Sequence, residues 1–445
     1  MRVMLTALPQ ICHLYPIIPY AQALQAAGHE VVIAAPPGAA DDIIAAGLTA
    51  VSCGEAVPPS LQNWAKHGLL PDAEERERLA SLLAIRPEDR DHWDVFYQFY
   101  VFACRFYLPR EPRQDIDSLV EFARAWKPDL VLWESWFPVG GVVARACGAA
   151  HARILIGPDY GAWSIDQYAA HKETAGAELG ENPLLSAVRP VAEQYGVEVD
   201  DDLLLGALTI DPLPAEMRLS RSVDSLPVRW VPYNGGGELP SWLYTKPERP
   251  RVALTLGVSN RAYNKGDSRV AALMEAVGGL DIEVVATLDA AQLDGAPPLP
   301  DNVRVVDYVP LGQLLPTCDA VIHHGSSGTF WAAHAANLPQ LIMDTDEPQR
   351  VSFTGEGESL GFTVSGRHLD SWLSSNYIVA RGAGARLDHQ KQSVAEIREQ
   401  LVKVLTEPAC KEAAAVLHRE WLSRPGPADI VADLEKLAAT HRPAT

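Results

Sequence analysis

Short apolar runs alternate with longer amphipathic stretches along most of this chain. That is the pattern of parallel strands buried on both faces and joined by crossover helices. The run at 3–7 predicts a strand; after a loop holding Pro9, His13 and Pro16, IIPYAQALQAAG predicts a helix that stops at Gly28. A strand over 29–35, a short helix over 41–46 and a strand over 48–52 complete βαβαβ, the opening of a doubly wound sheet. From about 58 to 113 the alternation breaks, and a charged segment carries the aromatic run HWDVFYQFYVFACRFY. Such a run reads as core or as the receiving wall for a flat apolar ligand. A helix over 114–125, a strand over 128–133, a helix over 139–147 and a strand over 151–156 then complete a first α/β domain.

Prolines at 212, 214, 227, 232, 240, 247 and 250, with glycines at 235–237, break regular structure, and the end of that stretch reads as an interdomain linker. A second α/β series follows, with strands over 252–256, 283–288, 303–309 and 339–343, a helix over 270–277, and a further strand ending at Val321 and Ile322. The closing stretch, about 410–439, is helical apart from Pro425 and Pro427. The expected layout is an N-terminal domain 1–230, a linker 231–250, a C-terminal domain 251–424, and a terminal helix in 425–445 packing back towards the N-terminal domain. Two such domains are expected to turn the carboxyl ends of both sheets to one central cleft.

The sharpest local pattern is DAVIHHGSSGT at 319–329, where a buried strand delivers small residues into a helix. Backbone N–H groups at a helix start, and the positive end of its dipole, suit a phosphate. Gly325 and Gly328 admit an anion to the backbone, Ser326, Ser327 and Thr329 offer hydroxyls, and His324 can donate from its ring. The ordinary alternative is a strand-to-helix turn capped by Ser326 or Ser327.

Composition narrows the partners. A net charge of -20 over 445 residues disfavours nucleic acid and anionic membrane surfaces, so any phosphate must be held locally. The six cysteines are scattered without CxxC pairs or metal-ligand spacing, which suits a reducing compartment. No leader precedes the first strand and no apolar run reaches membrane-spanning length, so a cytoplasmic location is expected.

With both halves placed, the chain resembles a GT-B-fold glycosyltransferase of the family that attaches deoxysugars to macrolides and other polyketide antibiotics. The blocks HLYPIIPYAQALQAAGHEVVIAAPP, PDLVLWESWFPVGG, GAAHARILIGPD, TIDPLPAEMR, VRWVPYNGGGELPSWL, RVALTLGVS, EVVATLDAAQL and NVRVVDYVPLGQLLPTCDAVIHHGSSGT each look like a family block in the family's order. The resemblance implies two Rossmann-like domains facing a central cleft. It also implies inverting transfer of a deoxysugar, with an amino sugar as one option, from a dTDP-sugar to a hydroxyl of a hydrophobic aglycone. Attack by an alcohol needs a base, and the departing diphosphate needs an anion clamp.

By resemblance, His13 is the base, an imidazole expected to be mostly neutral at cytoplasmic pH, and Glu134 is the carboxylate that orients it. A loop histidine bonded to backbone, and a charge at a helix start ahead of Val139, are the ordinary readings of the two. The clamp is His324 with Gly325 and the N–H groups of Gly328 and Thr329, joined by Gly257 and Ser259 from the first turn of the second domain. Ser326 stands where the family usually has a second glycine, and it is strained if the backbone there needs positive φ. Tyr308 is placed to stack on the nucleotide base and the Val309 main chain to bond its edge, although Tyr308 also reads as a plain strand residue. Asp346 and Glu347 stand where hexose-using relatives carry an acidic residue and glutamine for the sugar, and the segment 350–381 is longer than the family pattern. No metal is implied. Transferases of this kind often work with an auxiliary activator protein resembling a cytochrome-type monooxygenase, and a homodimer is a further candidate assembly. Two rival classes stay open: a non-catalytic GT-B partner protein, and another enzyme such as a nucleotide-sugar epimerase or a nicotinamide-dependent oxidoreductase. Against the last, PQICHLYP and not GxGxxG follows the first strand.

Overall fold

The apolar runs form parallel strands, and the burial of their residues on both faces is what makes each run nearly continuous in sequence. The computed structural model describes residues 1–54, 65, 68, 70–106, 114–175, 179–220, 223–258, 268–355 and 361–441. They divide into two compact units, 1–230 with 425–445, and 231–424.

In the first unit the strands are β1 (Arg2–Thr6), β2 (Glu30–Ala35), β3 (Thr49–Ser52), β4 (Leu130–Glu134), β5 (Ala150–Ile154), β6 (Thr209–Asp211) and β7 (Ser225–Pro227). Among the described residues they form one sheet in the order β3-β2-β1-β4-β5-β6-β7, with every pairing parallel. Strand order reverses between β1 and β4, whose register pairs Thr6 with Trp133. Loops leaving the carboxyl ends of two such strands diverge in opposite directions and open a crevice, the usual ligand position in an α/β sheet. The closing helix Val431–His441 packs on this unit, where Glu435 reaches His29 at 3.1 Å.

The second unit repeats the plan with β8 (Arg251–Thr255), β9 (Glu283–Thr287), β10 (Val303–Val306), β11 (Ala320–His323), β12 (Gln340–Met343), the pair β13 (Arg350–Thr354) and β14 (Gly361–Ser365), and β15 (Gly384–Leu387). Its parallel sheet runs β10-β9-β8-β11-β12-β15, while β13 and β14 pair antiparallel on their own. Here the reversal lies between β8 and β11, and His323 stands opposite Thr255. Val252, Leu254, Val284 and Ile322 from the strands pack with Leu273, Val277 and Leu401 from helices Ser268–Val277 and Val394–Thr406 to form one core.

Residues 231–250, expected as a linker, fall with the second unit. The Gln313 amide donates to the Gly237 carbonyl at 2.8 Å, and the Tyr308 hydroxyl donates to that of Asn234. The aromatic run folds as helix Arg90–Phe99 continued by a π-helical stretch, Tyr100–Phe106, and Tyr107 lies outside the described residues. Trp93, Phe96, Tyr97, Phe99 and Tyr100 are all buried, so the core reading of that run holds.

Candidate active site

In the first unit the reversal point carries a histidine and a carboxylate. The chain leaves β1 through Leu8 into the short helix Ile11–Leu14, which presents His13, and the neighbouring β4 ends on the wholly buried Glu134. His13 Nδ1 lies 3.1 Å from Glu134 Oε1, between residues 121 positions apart in the chain. Trp136 N–H donates to Oε2 at 2.7 Å and Leu8 N–H to Oε1 at 3.4 Å, so the buried carboxylate is satisfied from three directions. Nδ1 faces Glu134, Nε2 is the second exchangeable nitrogen of the ring, and Cys12 also hydrogen-bonds the His13 side chain.

Burial pulls the His13 pKa down, but Cys12 and Glu134 more than offset it, and the net result is a rise to about 10. This departs from the expectation of an unperturbed, mostly neutral imidazole: beside these two groups the protonated ring is the favoured form. The Trp136 ring meets His13 edge-on at 5.9 Å and Phe99 meets Trp136 at 5.3 Å, so the aromatic core reaches the His13 ring.

In the second unit the reversal point carries the histidine-rich turn between β11 and helix Ser327–Ala335. Its two histidines differ. His323 points into the core, with Nε2 2.9 Å from Gln340 Oε1 and Nδ1 accepting the Gly325 N–H at 3.1 Å, and burial lowers its pKa to about 4. His324 is 3% exposed, its ring bonded to the Thr255 backbone, and its Nδ1 has no hydrogen-bond partner. Burial, with His368, Arg269 and His323 nearby, holds its pKa well below the ordinary histidine value, so the ring is neutral.

Glycine is required twice around this ring. Gly257 has φ +80° and a Cβ there would lie 2.4 Å from His324 Cε1; Gly325 has φ +87° and a Cβ there would meet Ser371 Cβ at 2.7 Å. Ser326 has φ -66°, ordinary for any residue, so the serine carries no strain. Nothing lies within 4 Å of where a Gly328 Cβ would stand, which leaves the helix start open, and Thr329 is buried in its first turn. Ser259 lies outside the described residues.

Tyr308 is 45% exposed, with its hydroxyl tied to Asn234, and the Val309 side chain is buried beside it. Asp346 is already engaged: Lys391 Nζ and Arg386 Nη2 each lie 2.5 Å from its oxygens, and those two bonds lower its pKa to about 2. Glu347 is exposed beside it.

A network behind the turn was invisible in the sequence. Asp344, just past β12, accepts from Arg367 Nε at 3.1 Å, Ser371 Oγ at 2.9 Å and Ser375 Oγ at 3.2 Å, and Arg386 Nε lies 2.8 Å from its second oxygen. The one local signal was a carboxylate ending an apolar run. Among the described residues, no three of His, Cys, Asp and Glu are grouped to hold a metal ion, and no helix is long and apolar enough to cross a membrane.

Two doubly wound units, each built on a parallel sheet whose strand order reverses, are the architecture of GT-B nucleotide-sugar-dependent glycosyltransferases. Within that class the chain belongs to the erythromycin biosynthesis protein CIII-like family of antibiotic deoxysugar transferases, matching its N-terminal domain over residues 22–257 and its C-terminal domain over 271–360 and 360–437. It is 39% identical to the aclacinomycin-T 2-deoxy-L-fucose transferase of Streptomyces galilaeus, over 99% of this chain and 97% of that one. Among solved structures it is similar to the spinosyn forosaminyltransferase SpnP, with TM-score 0.78 and 33% identity over 99% of both chains. It is similar too to the glycosyltransferase VinC in complex with dTDP, with TM-score 0.78 and 31% identity over 99% of this chain and 100% of that one.

Proposed function

We propose that this chain transfers a deoxysugar from a dTDP-sugar to a hydroxyl of a polyketide aglycone, inverting the anomeric centre. The observation that carries the reading is the 3.1 Å pair of His13 and the wholly buried Glu134, in a chain of this family. His13 Nε2 takes the acceptor's proton as its oxygen bonds the anomeric carbon; the bond to the diphosphate breaks and its electron pair leaves with the diphosphate. His324 and the N–H groups at the start of helix Ser327–Ala335 receive that charge, the helix start through its dipole and the imidazole as a hydrogen-bond donor. Only the neutral His13 ring can accept, so its raised pKa makes transfer increase with pH through the neutral range.

Tyr308 and Val309 are assigned to the nucleotide base. Of the two carboxylates assigned to the sugar, Asp346 is paired with Arg386 and Lys391, which leaves Glu347 as the one to meet it; a carboxylate there suits an amino sugar. An auxiliary protein belongs to the proposal on the strength of the TIDPLP and VPYNG blocks.

The test is to incubate purified protein with a dTDP-deoxysugar and a polyketide aglycone, with and without a candidate auxiliary protein, and to follow glycoside and released dTDP by mass spectrometry. Glycoside formation is expected. Tight dTDP-sugar binding with no glycoside under either condition would favour a non-catalytic partner protein instead.

A further inference from the structure

We propose that His368 is a positioning residue for the diphosphate turn: its ring packs edge to face on His324 and fixes the imidazole that receives the donor's phosphate. This rests on the reading of the turn as the diphosphate site. The two ring centroids are 4.7 Å apart with their planes at 66°, the geometry in which one ring's positive edge meets the other's negative face. Gly257 closes on Cε1 of the same ring, so His324 is gripped by a glycine backbone and by a second imidazole.

His368 can do this because the chain on either side of it is anchored. Before it, the Arg367 N–H donates to the Glu347 carbonyl at 2.9 Å, and its guanidinium reaches Asp344 at 3.1 Å and the Thr345 carbonyl at 3.0 Å. After it, the Ser371 N–H donates to the His368 carbonyl at 2.9 Å, the Ser371 hydroxyl donates to Asp344 at 2.9 Å, and Ser371 lies against Gly325. A buried carboxylate at the end of β12 therefore ties down the strap that carries His368. The later part of the segment 350–381 braces the clamp from behind. No periodicity or motif marks position 368, because the contact spans 44 positions of chain, from 324 to 368, and depends on the Asp344 network.

Calorimetric titration of dTDP and of thymidine into wild type, His368→Ala, His368→Phe and His324→Ala tests the proposal, with circular dichroism confirming each fold. An aromatic pair of this geometry is worth up to about tenfold in an equilibrium, so His368→Ala should weaken dTDP by about that factor and leave thymidine unchanged. His368→Phe, which restores the packing without a ring nitrogen, should return dTDP affinity to within about threefold of wild type. In turnover, His368→Ala should lower kcat/KM for the dTDP-sugar by at least the factor lost in dTDP affinity. Three results overturn the inference while leaving the diphosphate reading in place: His368→Ala binding dTDP like wild type while His324→Ala does not, His368→Phe as weak as His368→Ala, or an equal loss for thymidine. Wild-type dTDP affinity in His324→Ala would instead remove the diphosphate reading and this proposal with it.

Discussion

His13 and His324 are imidazoles at equivalent places, each just beyond a strand at the reversal point of its own sheet, and their surroundings push them in opposite directions. At His13 a buried carboxylate and Cys12 outweigh burial and raise the pKa to about 10, whereas at His324 burial works together with His368, Arg269 and His323 to lower it. The two therefore begin from opposite protonation states. In the proposed role of base, His13 starts protonated and has to lose a proton before it can accept one from an alcohol. His324 starts neutral, with Nδ1 unpartnered, and in the proposed diphosphate site it has to take up a proton there to donate to a phosphate oxygen. One site is made by side chains placed against each other; the other is made mainly by backbone, with glycines and a helix start around a single ring.

The largest effect should come from removing the base. His13→Ala should lower kcat by about 10²–10⁴-fold while dTDP-sugar affinity stays near wild type, since the residue acts on the acceptor's proton. Steady-state kinetics with a binding titration check this, and near-normal turnover by a folded variant would take His13 out of the mechanism.

Glu134→Gln separates positioning from charge and should cost about 10²-fold in kcat, because an amide holds the ring without stabilising its protonated form. Glu134 raises His13, so its removal should move the acidic limb of kcat/KM against pH to lower pH. The same substitution should flatten part of the pH dependence of stability. A group whose folded pKa is raised stabilises fully below its unfolded value, near 6.5, and loses that stability as pH rises towards about 10. Thermal melts of wild type and variant should therefore converge between about pH 6.5 and pH 10. A pH profile that does not move would mean that Glu134 does not set the charge of His13.

How much of this could be read from sequence depended on the range of the interaction. The central strands β1, β4, β8 and β11 were legible because a strand buried on both faces is an apolar run. The strands β6 and β7 were not: each is three residues long, in a stretch broken by prolines, and is held by pairing with its neighbour. Resemblance supplied His13 and Glu134 as candidates, but their contact exists because the sheet sets β1 beside β4 across 121 positions of chain. The engagement of Asp346 could not be foreseen, since Arg386 and Lys391 lie 40 and 45 positions further on. The concern over strain at Ser326 came from position alone, and only the backbone angle could answer it.

His324→Ala should weaken dTDP by about tenfold or more, the worth of a hydrogen bond to a charged group, and leave thymidine nearly unaffected. Titrations in buffers of different ionisation enthalpy should show proton uptake when wild type binds dTDP and less in the variant. Equal uptake in both would break the contrast with His13, because it would mean that His324 does not change charge on binding.

Ser326→Gly should have the smallest effect, and it sharpens the claim that the turn is made by backbone. Ser326 is the N-cap of helix Ser327–Ala335 with φ -66° and ψ 147°, and its side chain makes no capping hydrogen bond. Serine to glycine at an N-cap costs a few tenths of a kcal/mol, about the change expected in a denaturant titration. If the phosphate is held by helix-start N–H groups and His324, loss of this hydroxyl should change dTDP affinity by less than about threefold, since nothing that holds the anion has been removed. If the hydroxyl donates to the phosphate, the loss should approach the tenfold or more expected of a hydrogen bond to a charged group, and the turn would be a side-chain site like the His13 pair. The two outcomes differ by more than the error of a titration, so this conservative substitution decides whether the contrast between the two histidine sites extends beyond the histidines themselves.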